Sequence, residues 1–385
     1  MKVIHAGGFD LMLRLGGEWE NGERHHDFKG PQNVTQEANW IIAATKVAQR
    51  YAGKYTYLDI WTEYPGAHFW DRSNKEFNAF YVKAYKAIHT ALPTAKLGGP
   101  GFNAVTSRLL ADASSTNAAI SFLRSLYIAG VAPTWLGWHD FNNTPEDFRT
   151  EELAYRSLLN GTGTFVSMPW AGTGFFVKAE LLVEAYGSGQ LDNTAALTPL
   201  PDDVLNAIHN GGRGATQIVA TWMNLQATDA KGAFYYRFSD PKSTPGPTGD
   251  IRNGTGWYGL FYGDSVGTYK PSAYEICMIS TMKKKYPTLK TIATPEETKV
   301  DGVYVTTATS HLDMFHGLLD RDLAILVANN SDTSYAWSPS DVSILSGKTV
   351  TVSTVSDTAD GKTAVTHLGI AFQLDPWSVQ LIEVK

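Results

Sequence analysis

The sequence predicts a (β/α)8 barrel of the TIM type, followed by a C-terminal antiparallel β-sandwich domain. Short apolar runs alternate with longer helical patterns from the start to about residue 285, which is typical of βα units. Beyond residue 287 the pattern changes to short alternating stretches with turn residues between them, which indicates antiparallel strands. We therefore expect a barrel over residues 1–288 and a β-sandwich over residues 289–385.

Six apolar runs in the first part predict strands, whereas a closed barrel has eight. They are DLMLRLGG, YTYLDIW, AKLGGPG, TWLGWHDF, AELLVEAY and KGAFYYRF. Between them lie helical patterns with cap signals, such as Thr35 before the first helix, Gly53 after it, and Ser73 or Asn74 before the second. The count leaves two interpretations: two weak strands escape the pattern, or the chain lacks the first units of the barrel.

Bulk properties exclude several classes of function. A formal net charge of −6 without a long basic run argues against nucleic acid and anionic membranes as partners. No apolar run reaches the roughly 20 residues of a membrane span, and the opening lacks a signal-peptide block, so a water-soluble chain is expected. The lone Cys277 excludes an intramolecular disulfide and is expected to be a buried, inert side chain.

Two glutamates fall where the catalytic rim of a barrel is expected. Glu63 follows YLDIW, and Glu184 ends AELLV, so both lie at carboxyl ends of strands. A carboxylate pair on one rim is what glycoside hydrolysis requires, although a solvated loop residue or a salt bridge would also explain either one. Trp61 and Trp70 give Glu63 apolar surroundings, which favour the neutral form of a general acid. Tyr186 could hydrogen-bond an ionised Glu184.

The ordered succession of motifs resembles family 39 glycoside hydrolases over nearly the whole chain. The resemblance is carried by LDIWTEYPGAHFW with the helix and the PTAKLGGPGF stretch after it, then WLGWHDF, ELLVEAYGS, GAFYYRFSD, YGLF, KPSAYEICMI and the tail LDPWSVQLIEV. It implies a (β/α)8 barrel with a β-sandwich and a retaining double displacement. It also implies that Glu63 is the acid/base and Glu184 the nucleophile.

The chain departs from the family pattern at two places. Thr62 stands where the family has an Asn that bonds the sugar 2-hydroxyl, and Tyr64 displaces the Pro that follows the acid/base. The segment before DLMLRLGG is also too short for the family's first two βα units, which supply an arginine and part of the sugar pocket. The first departure bears on which sugar the cleavage subsite accepts, and the second bears on whether the site is complete.

Further residues are candidates for substrate binding. His139, in GWHDF at a strand end, would lie beside the nucleophile in the family arrangement, and Asp140 is a weaker candidate. Aromatic rings stack on flat sugar faces, so Trp61, Trp70 and Trp138 are candidates to shape the cleft, and Trp138 and one of Tyr235 and Tyr236 could form its floor. Only one of these two tyrosines can face inward, because adjacent strand residues point to opposite faces.

Other polar groups carry weaker hypotheses. Glu18, after the first predicted strand, is the main rival for the acid/base role. His25, His26 and Asp27 lack a further ligand cluster, so we expect neither a metal nor another cofactor. Arg213, in HNGGRGA, lacks the strand and spacing of a phosphate loop and indicates a helix break.

The favoured function is a retaining glycosidase that cleaves β-linked glycans, either β-xylosidase-like or an exopolysaccharide hydrolase. Its partner would be an oligosaccharide or polysaccharide, which favours an extracellular or periplasmic location, although the chain shows no signal peptide. The alternative is a non-catalytic carbohydrate-binding barrel. A third reading is a scaffold whose β domain mediates assembly.

Overall fold

The structure is a computed structural model of the 385-residue chain. It describes residues 10–16, 30–66, 69–111, 117–140, 144–186, 210–236, 260, 269–292, 312–319, 322–339 and 342–385. These residues fall into two compact units. The first lies within Met1–Asp140, Thr150–Ala185 and Asp229–Phe234, and the second within Phe141–Arg149, Tyr186–Thr228 and Tyr235–Lys385. The domain boundary at residue 288 stays a prediction.

A curled six-stranded sheet organises the first unit. Its strands are β1 (Met12–Arg14), β2 (Tyr57–Asp59), β3 (Lys96–Phe102), β4 (Trp135–Asp140), β5 (Glu180–Tyr186) and β6 (Ala230–Tyr235). They pair in chain order, and β1–β2, β2–β3 and β3–β4 are parallel. Parallel neighbours in chain order with helices between them form a barrel wall. The predicted fold class is confirmed as a half barrel, and its six described strands are those that the sequence predicts.

Helices follow the strands. They are α1 (Val34–Arg50), α2 (Asn74–Ala91), α3 (Ala104–Ala111), α4 (Ala118–Ile128) and α5 (Pro145–Asn160), with a 3-10 turn at Gly163–Phe165. The N-cap of α1 is Asn33, whose side chain accepts a hydrogen bond from Gln36 N, so the prediction of Thr35 as the cap was wrong by two residues. Ser73 caps α2 in a capping box with Glu76, as predicted.

Aromatic packing between strands and helices builds the core of the first unit. On α2 the buried Phe77, Phe80, Tyr81 and Ile88 recur at helical spacing and form one face. Every residue of β4 is buried, as expected for a strand of a parallel sheet that is covered on both sides. Burial of each large apolar side chain contributes about 1.5–3 kcal/mol. This packing stabilises the strands whose carboxyl ends carry the candidate site residues.

The second unit contains the antiparallel strands. Its helices are α6 (Gly212–Gln226) and α7 (Pro271–Lys285), and its strands are β7 (Thr288–Ile292), β8 (Leu312–Leu319), β9 (Asp322–Asn329), β10 (Tyr335–Trp337), β11 (Val350–Val355), β12 (Asp360–His367), β13 (Phe372–Leu374) and β14 (Ser378–Val384). A further 3-10 turn spans Val342–Leu345. The main sheet has the order β12-β11-β14-β9-β8-β7, and β10 pairs with β13.

Alternation along these strands produces two apolar faces, as a sandwich requires. Ile325 and Ile382 face the β10–β13 pair, where Trp337 and Phe372 stack. Leu326, one residue later, faces the opposite side, which α6 and α7 cover. The strand-rich tail predicted from the sequence is thus confirmed as an antiparallel domain with two packed layers. The predicted strand VYVTTAT lies outside the described residues.

One local expectation changed in this unit, and the predicted helix break lies where the sequence places it. Cys277 is exposed on α7 rather than buried, because the buried face of this helix carries Met278 and Met282 instead. The predicted helix break at HNGGRGA is the start of α6, where Gly211 is the N-cap. Arg213 there lies over the ring of Trp377, with 4.7 Å to the ring centroid. Across the residues that the structure describes, no helix is both long and apolar enough to cross a membrane.

Candidate active site

Glu63 lies in the turn after β2, in an unusual backbone conformation. Its φ is +49°, in the left-handed region that residues with a side chain seldom adopt. Tyr64 N donates to Gly101 O and thereby ties this turn to β3. Such conformations persist only where the surrounding structure imposes them, and they cluster at functional sites. The Glu63 side chain is 32% exposed and is therefore open to solvent.

Glu184 points from β5 into a space made by glycines on the neighbouring strands. Its side chain is fully buried. A Cβ atom at Gly101 would lie 2.6 Å from Glu184 Oε2, and one at Gly137 would also overlap the carboxyl group. Both positions therefore need glycine for space rather than for backbone conformation. The PGF of β3 and the LGW of β4 are the sequence features that make room for this carboxylate.

His139, at the end of β4, lies between the two glutamates. Its Nδ1 is 3.2 Å from Glu63 Oε1, and its Nε2 is 3.6 Å from Glu184 Oε2. Burial opposes protonation of this imidazole, but the bonds to Glu184 and Glu63 outweigh burial and raise the pKa of His139. The structure thus brings together the two predicted carboxylates and the predicted histidine, with one imidazole ring between them.

Arg14 and Asp59 complete this cluster, and neither was singled out from the sequence. Arg14 Nη2 donates to Glu184 Oε2 at 2.9 Å, and Arg14 Nε donates to Asp59 Oδ2 at 2.6 Å. Partial burial, which leaves 34% of the side chain exposed, opposes the charge of Arg14, but the two carboxylates outweigh it and raise its pKa. One Arg in MLRL and one Asp in YLDIW, each in an apolar strand, were the signals that could have identified the pair.

Thr62 and Asp140 occupy buried positions at the same strand ends. Thr62 is 1% exposed, and its Oγ1 has no hydrogen-bond partner among the described residues. Asp140 is fully buried at the end of β4. A buried hydroxyl without a partner is rare in a folded protein and calls for an explanation, and a ligand is one explanation.

The three predicted cleft tryptophans lie in the core. Trp61 is fully buried and packs edge-on against Trp70, with 5.8 Å between ring centroids. Trp138 is also fully buried, stacks on Tyr155 and donates from Nε1 to Glu151 Oε2 at 2.9 Å. The expectation that these rings shape the cleft directly is corrected to a supporting role, because the large apolar surfaces of indoles pack most favourably between sheet and helices.

The predicted tyrosines belong to the second unit. Tyr186 is 5% exposed, and its ring lies edge-on to that of Tyr235 with 5.6 Å between centroids. Burial raises the pKa of Tyr186 above its usual value. Tyr235 OH is buried, whereas Tyr236 is exposed, in line with the expected alternation. Glu18, His25, His26 and Asp27 lie outside the described residues.

The cluster can perform acid–base chemistry with an anionic centre. One carboxyl group, Glu63, is open to solvent and can exchange a proton, while the buried Glu184 is bonded by a guanidinium, which favours an anion at this position. Among the residues that the structure describes, no group of three or more His, Cys, Asp or Glu side chains is placed to hold a metal ion.

Comparisons with solved structures show the same fold. A glucosidase from Croceicoccus marinus matches with a TM-score of 0.62 at 13% identity, over 99% of this chain and 79% of that one. A family 39 β-xylosidase from Caulobacter crescentus matches with a TM-score of 0.55 at 14% identity, over 91% and 72% of the two chains. A family 39 glycoside hydrolase from Bacteroides cellulosilyticus has a TM-score of 0.55 at 14% identity, over 92% and 63%.

The search against protein-family models and the search of curated proteins found no match. The chain therefore has the fold of family 39 glycoside hydrolases, and at these identities the likeness concerns the fold.

Proposed function

We propose that this protein is a retaining glycoside hydrolase that cleaves β-linked glycans by double displacement. The observation that carries the proposal is the placement of two carboxyl groups, from the ends of separate strands, on either side of His139. Glu63 is the acid/base and Glu184 the nucleophile. Retention rests on the resemblance to family 39 glycoside hydrolases, and retaining enzymes have their two carboxyl groups about 5–5.5 Å apart.

The first step forms a glycosyl ester. Glu63 donates its proton to the glycosidic oxygen as the bond to the anomeric carbon breaks, and Glu184 attacks that carbon from the opposite face. Arg14, bonded to Glu184 Oε2 at 2.9 Å, stabilises the charge of the nucleophile before attack and again when the ester breaks. In the second step Glu63 takes a proton from water, which attacks the anomeric carbon and releases Glu184.

His139 serves both steps by holding the pair in position. Its hydrogen bond at 3.2 Å orients Glu63, and its other ring nitrogen faces Glu184. The solvent exposure of Glu63 suits a group that must protonate a departing alcohol and later meet a water molecule. The strained backbone at Glu63 adds support, because such conformations accumulate at catalytic residues.

Four side chains are assigned to sugar recognition: Thr62, His139, Tyr186 and Tyr235. The unpartnered Oγ1 of Thr62 would bond a hydroxyl of the sugar at the cleavage point, in place of the family's amide. His139 could also contact a hydroxyl, and Tyr186 and Tyr235 stay candidates for sugar stacking from their sequence positions. The β-xylosidase and the glucosidase among the similar structures support a β-linked xyloside or glucoside as the substrate, and the resemblance to family 39 also allows an exopolysaccharide.

A non-catalytic carbohydrate-binding protein is the second candidate. The observation that favours it is the complete burial of the Glu184 side chain, whose carboxylate is already bonded by Arg14. In such a protein Thr62 would bind sugar without the transition-state contact that turnover needs.

A substrate screen distinguishes the two functions. Aryl β-xyloside, β-glucoside, β-galactoside and α-arabinoside would be tested beside bacterial exopolysaccharides, with wild type, Glu63→Gln and Glu184→Gln. Hydrolysis that is lost in both variants, with sugar affinity retained in Glu63→Gln, supports the glycosidase. No hydrolysis of any substrate, together with equal sugar-induced melting shifts in all three proteins, supports the binding protein instead.

A further inference from the structure

Asp59 is a buried carboxylate that the proposed double displacement does not use. It ends β2 with no exposed surface, and its Oδ1 accepts from Trp61 N at 3.1 Å. A Cβ atom at Gly99 would overlap Oδ1, so glycine at this position of β3 makes room for the carboxyl group. Burial and the neighbouring Glu184 raise the pKa of Asp59, and the guanidinium of Arg14 opposes that shift.

The register of the sheet sets Asp59 opposite Arg14. The two residues are direct partners in the parallel pairing of β1 with β2. Arg14 Nε donates to Asp59 Oδ2, which leaves Nη2 on the same planar guanidinium to reach Glu184 Oε2. Because the guanidinium is rigid, fixing one edge fixes the direction of the other. The three side chains therefore form a line from the end of β2 to the proposed nucleophile.

We infer that Asp59 is a positioning residue, which holds the Arg14 guanidinium so that it orients the Glu184 carboxylate for attack. The inference rests on the proposed function and adds to it a residue that does not touch the sugar. Asp59 acts only through Arg14.

An ion pair with a purely structural role would not make the orientation of Glu184 depend on Asp59. A buried pair adds little net stability, because the cost of removing both charges from water offsets their attraction. The Asp59–Arg14 pair differs because Nη2 of Arg14, which Asp59 leaves available, bonds the carboxylate of Glu184, the proposed nucleophile. Glu37 provides the matched case in the same unit: it is 5% exposed and bonds Arg72 and Lys83, residues of the α1–α2 region.

A double-mutant cycle with a readout on the nucleophile tests the inference. The variants are Asp59→Asn, Arg14→Met, the combination of both, and the control Glu37→Gln. The readouts are kcat, KM and the rate at which a 2-deoxy-2-fluoro glycoside with an activated leaving group labels Glu184, measured by mass spectrometry. The glycone is the one that the substrate screen identifies. Asp59→Ser, which keeps an acceptor for Trp61 N, is used if Asp59→Asn does not fold.

We expect Asp59→Asn to lower kcat and the labelling rate about 10²-fold, the loss that a displacement near 1 Å produces, with KM nearly unchanged. In the Arg14→Met background the same change should cause no further loss, because the two residues act as one unit. Glu37→Gln should label at the wild-type rate.

Three outcomes would overturn the inference. These are additive losses in the cycle, a labelling rate in Asp59→Asn equal to that of wild type, or the same loss in Glu37→Gln. If wild type labels at Glu184 and Asp59→Asn labels equally fast, only the positioning role fails. If the wild type hydrolyses no substrate and cannot be labelled, the proposed function fails and the inference fails with it.

Discussion

Buried carboxyl groups occur in both units, but their surroundings differ. In the first unit Glu184 and Asp59 are fully buried, and the guanidinium of Arg14 bonds both of them. In the second unit Glu275 on α7 is fully buried, and neither of its oxygens has a hydrogen-bond partner among the described residues. Asp313 on β8 accepts one bond from the neutral amide of Asn224.

The difference lies in whether a cation bonds the buried carboxyl group. Burial raises the pKa of Glu275 well above its usual value and, with the nearby Glu146, raises that of Asp313 to about 8. With a pKa of about 8, Asp313 is mostly protonated at neutral pH, whereas in the first unit a guanidinium bonds both buried carboxyl groups. Burial of an acid alone does not indicate an active site; burial together with a fixed cation and a second acid does.

The largest expected effect is a difference in kcat between Glu184→Gln and Glu275→Gln. Glu184→Gln should lower kcat by about 10⁴-fold or more, because removal of the proposed nucleophile leaves only binding and electrostatic contributions. Glu275→Gln, an equally buried change, should leave kcat within about twofold. Steady-state kinetics on the best aryl glycoside measures both, and equal losses in the two variants would break the comparison.

Asp313→Asn should stabilise the protein in a pH-dependent way. The folded pKa of about 8 lies above the unfolded value of about 3.9, so the native state binds more protons between them and the free energy of unfolding falls as pH rises from about 4 to about 8. Removing this titration should raise the free energy of unfolding by about 1–3 kcal/mol at pH 8 and by little at pH 4. Urea unfolding at several pH values measures it; a pH-independent difference would contradict the prediction.

His139→Asn should lower the free energy of unfolding, whereas Asp313→Asn should raise it. The pKa of His139 is raised in the folded state, so its contribution to stability is fully present below about pH 6.5 and is lost as pH rises through the folded pKa. The variant should therefore lose about 1 kcal/mol of unfolding free energy at pH 5.5 and less at pH 9. Melting curves against pH, beside those of Asp313→Asn, would show whether the two variants change stability in opposite directions, as expected; a gain of stability in His139→Asn at pH 5.5 would contradict the prediction.

The smallest effect is expected at Cys277, on the same helix as Glu275 but exposed. Cys277→Ser should change the free energy of unfolding by less than about 0.5 kcal/mol, as is usual for exposed sites. The wild-type thiol should react with a maleimide in the folded state. A thiol that reacts only on unfolding would contradict the exposed placement.

The sequence by itself determined the periodic and local features. The six strands of the half barrel, the capping of α2 by Ser73 and the antiparallel tail follow from runs, spacing and cap chemistry within short windows. The strand-end positions of Glu63, His139 and Glu184 follow from the same reasoning, since parallel strands place their carboxyl ends on one edge. The catalytic roles of these three residues remain predictions.

Only the tertiary structure decided which side chains meet. Asp59 lies opposite Arg14 because of strand register, which no local pattern encodes, and the space around Glu184 depends on glycines from two other strands. Trp61, Trp70 and Trp138 could have served a core or a cleft, and packing between sheet and helices decided for the core. The physical reason is common to all three cases: contacts between distant segments depend on register and burial, which a window of sequence does not contain.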